Sequence, residues 1–298
     1  MDEGIYDSIE VLRDGDDAAK TEAAQTLNDF ALDDDVDDPC FKEQILAEGG
    51  IEQLIDLLRA DSAEAKQWAA TALCNLARRH DEIATRIAHP GLDGIALLIK
   101  LLQHGNEVAK INAAQALRNV AYHENWGSYD VGTYEDNADQ IVQAGAIPPL
   151  VGLLRDGDDA RDAAAEALRC LAWTAIRCLG TVEGSAALVG AIPPLVALWR
   201  QGTTDGKDRA EVVLHCISAH SADSNVAIAA AIGPEELLKL AQFGQFRAMD
   251  HLFRGGDPAM RKAKLVVCEM LRSILDDVTV DVPRECFLSI GSYLQKVI

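Results

Sequence analysis

The sequence predicts an all-α fold, an α-solenoid in which short helical units stack in a row. Three observations carry that prediction. The string GAIPPLV at 145–151 returns unchanged at 190–196. Gly4, Ile5, Leu12, Lys20, Leu27 and Ala31 recur 46 positions later, without a gap, as Gly50, Ile51, Leu58, Lys66, Leu73 and Ala77; a further shift of 44 carries Ile51, Leu54, Leu58, Lys66 and Asn75 to Ile95, Leu98, Leu102, Lys110 and Asn119. Repeats of this length belong to helical pairs and triplets stacked side by side. The composition, 49% hydrophobic but only 5% aromatic, suits thin layers of Ala, Leu, Ile and Val between close-packed helices.

The units follow in order along one elongated domain, 1–298. Residues 4–31 form a capping unit without an opening helix: Ile5, Ile9, Val11 and Leu12 mark a short helix, and Ala23, Ala24, Leu27, Phe30 and Ala31 a longer one. An acidic stretch with Pro39 then breaks the helix. Its spacing does not match a calcium loop, because Asp38 and Gln44 fall where Gly and Glu are needed. The next unit, 39–79, has helices at 41–47, 51–59 and 63–79, with Gly49 and Gly50 as the corner between the first two. Residues 81–122 repeat the scheme, with helices at 83–88, 95–103 and 107–122. An inserted loop, 123–136, carries Trp126, Tyr129 and Tyr134. The best-formed unit is 137–173, with helices at 137–144, 147–155 and 159–173 and Pro148 in the opening turn of the second. Residues 181–219 follow, then an irregular unit at 224–275 with an insertion at 242–258, and a closing helix at 284–298.

The balance of 27 basic against 48 acidic residues leaves a formal net charge of −21. A field of that sign repels nucleic acid and anionic membranes and favours basic protein segments as partners. Seven scattered cysteines with no Cys-x-x-Cys spacing predict neither a zinc site nor a disulfide framework, and fit a reducing compartment. No secretory leader or membrane-spanning apolar run is present in the sequence. The expected location is cytoplasmic or nuclear.

Asn137, Ile141, Val142, Ala144, Gly145, Ala146, Ile147, Pro148, Leu150, Val151, Leu153 and Leu154, followed by Ala164, Ala167, Leu168 and Leu171, form a pattern that closely resembles the armadillo repeat. ALCNLA at 72–77 and ALRNVA at 116–121 are similar to the family's third-helix ending. The resemblance implies a right-handed superhelix of about six armadillo-type repeats, whose third helices line a concave groove. It also implies that Asn75 and Asn119 clamp the main chain of an extended peptide, as a side-chain amide both donates and accepts. The corresponding positions in other units hold Asp29, Cys170, Cys216 and Ser273. Import adaptors of this family place a tryptophan one turn earlier; those places here hold Gln25, Thr71, Gln115, Glu166, Val212 and Glu269, so the lysine slots are missing. Trp68 lies two turns before Asn75 on roughly the same face and is a candidate anchor, with core packing as its competing role. Asn112 and Tyr122 complete the set of candidate contacts.

Catalysis has no sequence support. GxSxG, HExxH, GxGxxG and GxxxxGK are all absent, and His215, Cys216 and His220 are out of helical register, with His220 expected in the following turn. The predicted function is a non-catalytic scaffold or adaptor that needs no cofactor or metal and holds protein or peptide partners, basic segments among them, in the groove. The alternatives are a divergent nuclear-import-type receptor for basic signals and the substrate-recruiting part of a ubiquitin ligase assembly.

Overall fold

A computed structural model describes residues 2–33, 40–121, 132–178, 188–220 and 222–233. Tyr122, Trp126, Tyr129, the acidic stretch 34–39 and everything from 234 onward, Glu269, Ser273 and the predicted closing helix included, lie outside the described residues. The chain divides into two compact units, Met1–Cys178 and Leu179–Ile298. Among the described residues every regular element is an α-helix.

In the first unit, α1 (Glu3–Asp14) and α2 (Asp17–Asp33) form the two-helix opening repeat. Asp2 caps α1 by accepting from the Gly4 amide at 2.9 Å, and Ile5, Ile9 and Leu12 make its buried stripe. The second repeat follows as α3 (Cys40–Ala47), α4 (Gly50–Leu57) and α5 (Ala63–Ala77). The third is α6 (Asp81–Ile87), α7 (Gly94–His104) and α8 (Glu107–Ala121). The fourth is α9 (Gly132–Gln143), α10 (Ile147–Leu153) and α11 (Asp158–Cys178). In the second unit, α12 (Ile192–Gln201) packs on α13 (Thr204–His220), and α14 (Ala222–Ile232) packs on both.

The third helices are the spine of the first unit. α2 packs on α5, α5 on α8 and α8 on α11, while α4, α7 and α10 each pack on the third helix that follows them. A helix covered on several sides needs small apolar residues nearly all round, and α5 buries Ala65, Ala69, Ala70, Ala72, Leu73, Leu76 and Ala77. Close approach between neighbours is what the alanines permit.

The corner between α3 and α4 forms as predicted. Gly49 has φ +80°, a left-handed backbone that costs an L side chain energy, and a Cβ on Gly50 would lie 2.7 Å from Ile45 Cγ2. In the next repeat Asp93 takes the same left-handed place, with φ +59°. Pro148 sits in the first turn of α10, where a missing N–H leaves nothing unsatisfied.

Several boundaries differ from the sequence prediction; α14, for one, begins at Ala222, ahead of the predicted unit start at 224. α9 begins at Gly132, not at 137, because no Gly or Pro intervenes between Gly132 and Gly145. α11 runs five residues beyond 173, since residues 174–178 contain no Gly or Pro to interrupt the helix. α13 reaches His220, which the sequence prediction left in a turn.

Candidate functional site

The serial packing of α2, α5, α8 and α11 places one polar side-chain row from each helix beside the next. Hydrogen bonds between successive helices mark the shared face. Asn75 Nδ2 donates to Asn28 Oδ1 at 2.8 Å, linking α5 to α2. Asn112 Nδ2 donates to Thr71 Oγ1 at 2.5 Å, and Cys74 Sγ lies 3.7 Å from Gln115 Oε1, linking α8 to α5. Arg118 Nη2 donates to Glu166 Oε1 at 3.3 Å, linking α8 to α11. Glu166 also accepts from Arg169, from Nε at 3.1 Å and from Nη2 at 2.9 Å, so two guanidinium groups share one carboxylate.

Below this row lies a tighter layer. Asn119 is only 7% exposed, and its Nδ2 donates to the Cys74 carbonyl at 2.8 Å. That carbonyl belongs to the last turn of α5, where the Arg78 N–H that a continuing helix would bring to it turns to the Asn75 carbonyl instead, at 3.3 Å. Asn119 Oδ1 accepts from Arg118 Nη1 at 2.7 Å. Lys42 serves a similar end by donating to the Arg78 carbonyl at 3.1 Å. The Cys74 thiol is buried beside these groups, and loss of solvent pushes its pKa up to about 11. Burial raises the Cys170 thiol as well. Both sulfurs are therefore neutral packing atoms at physiological pH and poor nucleophiles.

A family model described as the armadillo/beta-catenin-like repeat matches residues 39–78 and 135–172. The chain carries armadillo repeats. U-box domain-containing protein 8 of Arabidopsis thaliana is 28% identical over 197 residues, which cover 66% of this chain and 46% of that protein. Armadillo repeat-containing protein 3 of Homo sapiens is 43% identical over 75 residues, covering 25% and 8% respectively. The chain thus spans less than half the length of these two relatives. Among solved structures, an engineered protein is 26% identical with a TM-score of 0.63, covering 92% of this chain and 98% of its own. A designed armadillo repeat protein in complex with the peptide (KR)4 is 21% identical with a TM-score of 0.60, covering 89% and 98%; the likeness there is one of fold.

The armadillo third-helix face gathers most of the predicted residues. Gln25 and Asp29 stand on α2, half-buried and exposed; Trp68, Thr71 and Asn75 are half-buried on α5; Asn112 is half-buried and Gln115 exposed on α8; Glu166 is half-buried on α11. Asn119 departs from the prediction: its amide is consumed in joining α8 to α5, because burial obliges the Cys74 carbonyl to find a donor. Asn75 gives up one N–H to Asn28, a bond in which its Oδ1 takes no part, and the residue is half-buried.

Sequence reasoning missed Asn28, Arg118 and Arg169. Aligning repeats puts Asp29 opposite Asn75, yet the side chain that meets Asn75 is its neighbour Asn28, 4% exposed. The spacing of Glu166 and Arg169 by three was the available signal for an intrahelical pair. Nothing in the sequence signals that Arg118 crosses to it from another helix.

Proposed function

We propose that the face built by α2, α5, α8 and α11 receives an extended segment of a partner protein, and that the chain is a non-catalytic scaffold or adaptor. The single observation that carries this reading is the row of part-exposed polar side chains, with Trp68 among them, on helices packed in series. Trp68 offers a broad apolar platform with few rotatable bonds, and Asn75 Oδ1 offers an acceptor for a main-chain N–H. Asp29 and the net charge of −21 favour a basic segment. A designed armadillo repeat protein solved with (KR)4 supports that chemistry. The free thiols of Cys74 and Cys170 are in keeping with a cytoplasmic or nuclear setting.

Fluorescence anisotropy with labelled (KR)4 tests the reading. Binding should persist at about 150 mM salt, where long-range attraction is largely screened. It should weaken about tenfold or more in Trp68→Ala combined with Asn75→Ala, with an unchanged circular dichroism spectrum. Binding seen only at low salt, or indifferent to both substitutions, defeats the assignment.

The likeness to U-box domain-containing protein 8 over 66% of this chain favours one second reading, the substrate-recruiting part of a ubiquitin ligase assembly. The same face then holds the substrate. Reconstitution with a ubiquitin-conjugating enzyme, scoring transfer to a protein captured on this face, decides between plain scaffold and ligase component.

A further inference from the structure

A second polar cluster lies away from the third-helix face, in the seam between the second and third repeats. A cleft of about 240 Å³ opens there, between the α4–α5 turn and the end of α7, and its lining includes Arg59, Asp61, Lys66, Lys100 and His104. The lining carries three full positive charges against one carboxylate, in a chain whose net charge is −21. Arg59 is already committed: Nη1 lies 2.5 Å from Asp56 and Nη2 3.2 Å from Asp93. Lys66, Lys100 and His104 are engaged by no carboxylate among the described residues.

The next seam along the same unit shows how this arrangement is ordinarily closed. Lys110 holds the place of Lys66, and its Nζ lies 3.9 Å from Asp156 Oδ2. Counting from Leu154, which holds the place of Leu102, Asp156 stands where this seam has His104, and Gly152 stands where it has Lys100. One seam pairs its lysine with an acid; the other replaces the acid with an imidazole and adds a second lysine. Clustering like charges opposes folding, so the difference calls for an anion.

We propose that the cleft between the second and third repeats binds a phosphate monoester, held by Lys66, Lys100 and His104. Two ammonium groups act as compact point charges without the planar fork that favours a carboxylate, and a dianion with oxygens on several sides meets them from more directions. The volume falls below the roughly 300–1,000 Å³ of ordinary small-molecule pockets, which suits a phosphorylated serine or threonine side chain or a small free phosphate ester. The site is separate from the peptide face and does not depend on it.

The test is NMR titration of the full chain, ¹⁵N-labelled, at about 150 mM salt. The probes are a glycine-flanked phosphoserine pentapeptide, its unphosphorylated counterpart and inorganic phosphate. The expected result is saturable shifts at the Lys66, Lys100 and His104 amides with the phosphorylated peptide and none with its counterpart. Equal affinity for inorganic phosphate assigns the site to free phosphate groups; much tighter binding of the peptide assigns it to a phosphorylated partner. Lys66→Gln with Lys100→Gln should weaken binding about tenfold or more. His104→Asp, which installs the neighbouring seam's acid beside Lys66, should do the same without lowering the Tm. Shifts that fail to saturate, that centre on the third-helix face, or that persist in both variants overturn the proposal.

Discussion

An asparagine amide carries two donor hydrogens and an acceptor oxygen, and the packing around it decides which of them a ligand can reach. At Asn75 the bond to Asn28 uses one donor and does not involve the oxygen. At Asn119 both ends are used inside the fold, by the Cys74 carbonyl and by Arg118. Asn119→Ala strands the Cys74 carbonyl and Asn75→Ala strands the buried Asn28 Oδ1, so each should cost about 1–3 kcal/mol in urea denaturation. Cys74 adds a pH dependence whose sign follows from its environment. The native thiol holds its proton to about 11, while an unburied thiol releases it near 9.0. The unfolded state therefore binds fewer protons between those values, and stability, complete below about 9, declines as pH rises toward 11, by up to about 3 kcal/mol. Cys74→Ala should flatten that part of the stability–pH profile. Native Cys74 should also resist thiol reagents that label the unfolded chain.

At the scale of the element, the starts of the second helices divide into two kinds. Gly50 and Gly94 open α4 and α7, while Ala146 and Ala191 precede α10 and α12 in the same repeat position. A Cβ on Gly94 would come within 2.5 Å of the Ile87 carbonyl oxygen, a backbone atom that cannot swing aside. Gly94→Ala should therefore destabilise by about 1–3 kcal/mol, seen as a lower Tm by circular dichroism. The division is visible in the sequence, but its cause is the closeness of α6. Helix existence and order were legible from the apolar period, as in α5 and α8, because each repeat restates the same local pattern. The ends of α9 and α11 were not, because there the chain continues a helix past the length its repeats predict. Helix ends depend on local breakers and caps, which the repeat register does not encode.

For the whole molecule, charge is the governing quantity. A net charge of −21 repels itself across the folded chain, so added salt should raise the Tm between about 10 and 200 mM. A Tm that falls with salt over that range would mean that ion pairs such as Arg86–Glu52 and Arg118–Glu166 outweigh the repulsion. Most of the candidate face was also legible at this scale. Gln25, Asp29, Trp68, Thr71, Asn112, Gln115 and Glu166 all stand on the serially packed third helices, since a repeating register places equivalent residues on equivalent surfaces.

The sequence by itself determined the helical repeat, the core positions and the acidic character, because periodic apolar residues and summed charge are additive properties of a chain. Only the tertiary structure decided which polar atoms are spent and which remain for a ligand. Asn119 meets Cys74 across 45 residues, and Lys66 shares a cleft with His104 across a repeat boundary. Such contacts depend on distances of a few ångströms between separate helices, and hydrogen bonds and ion pairs turn on those distances.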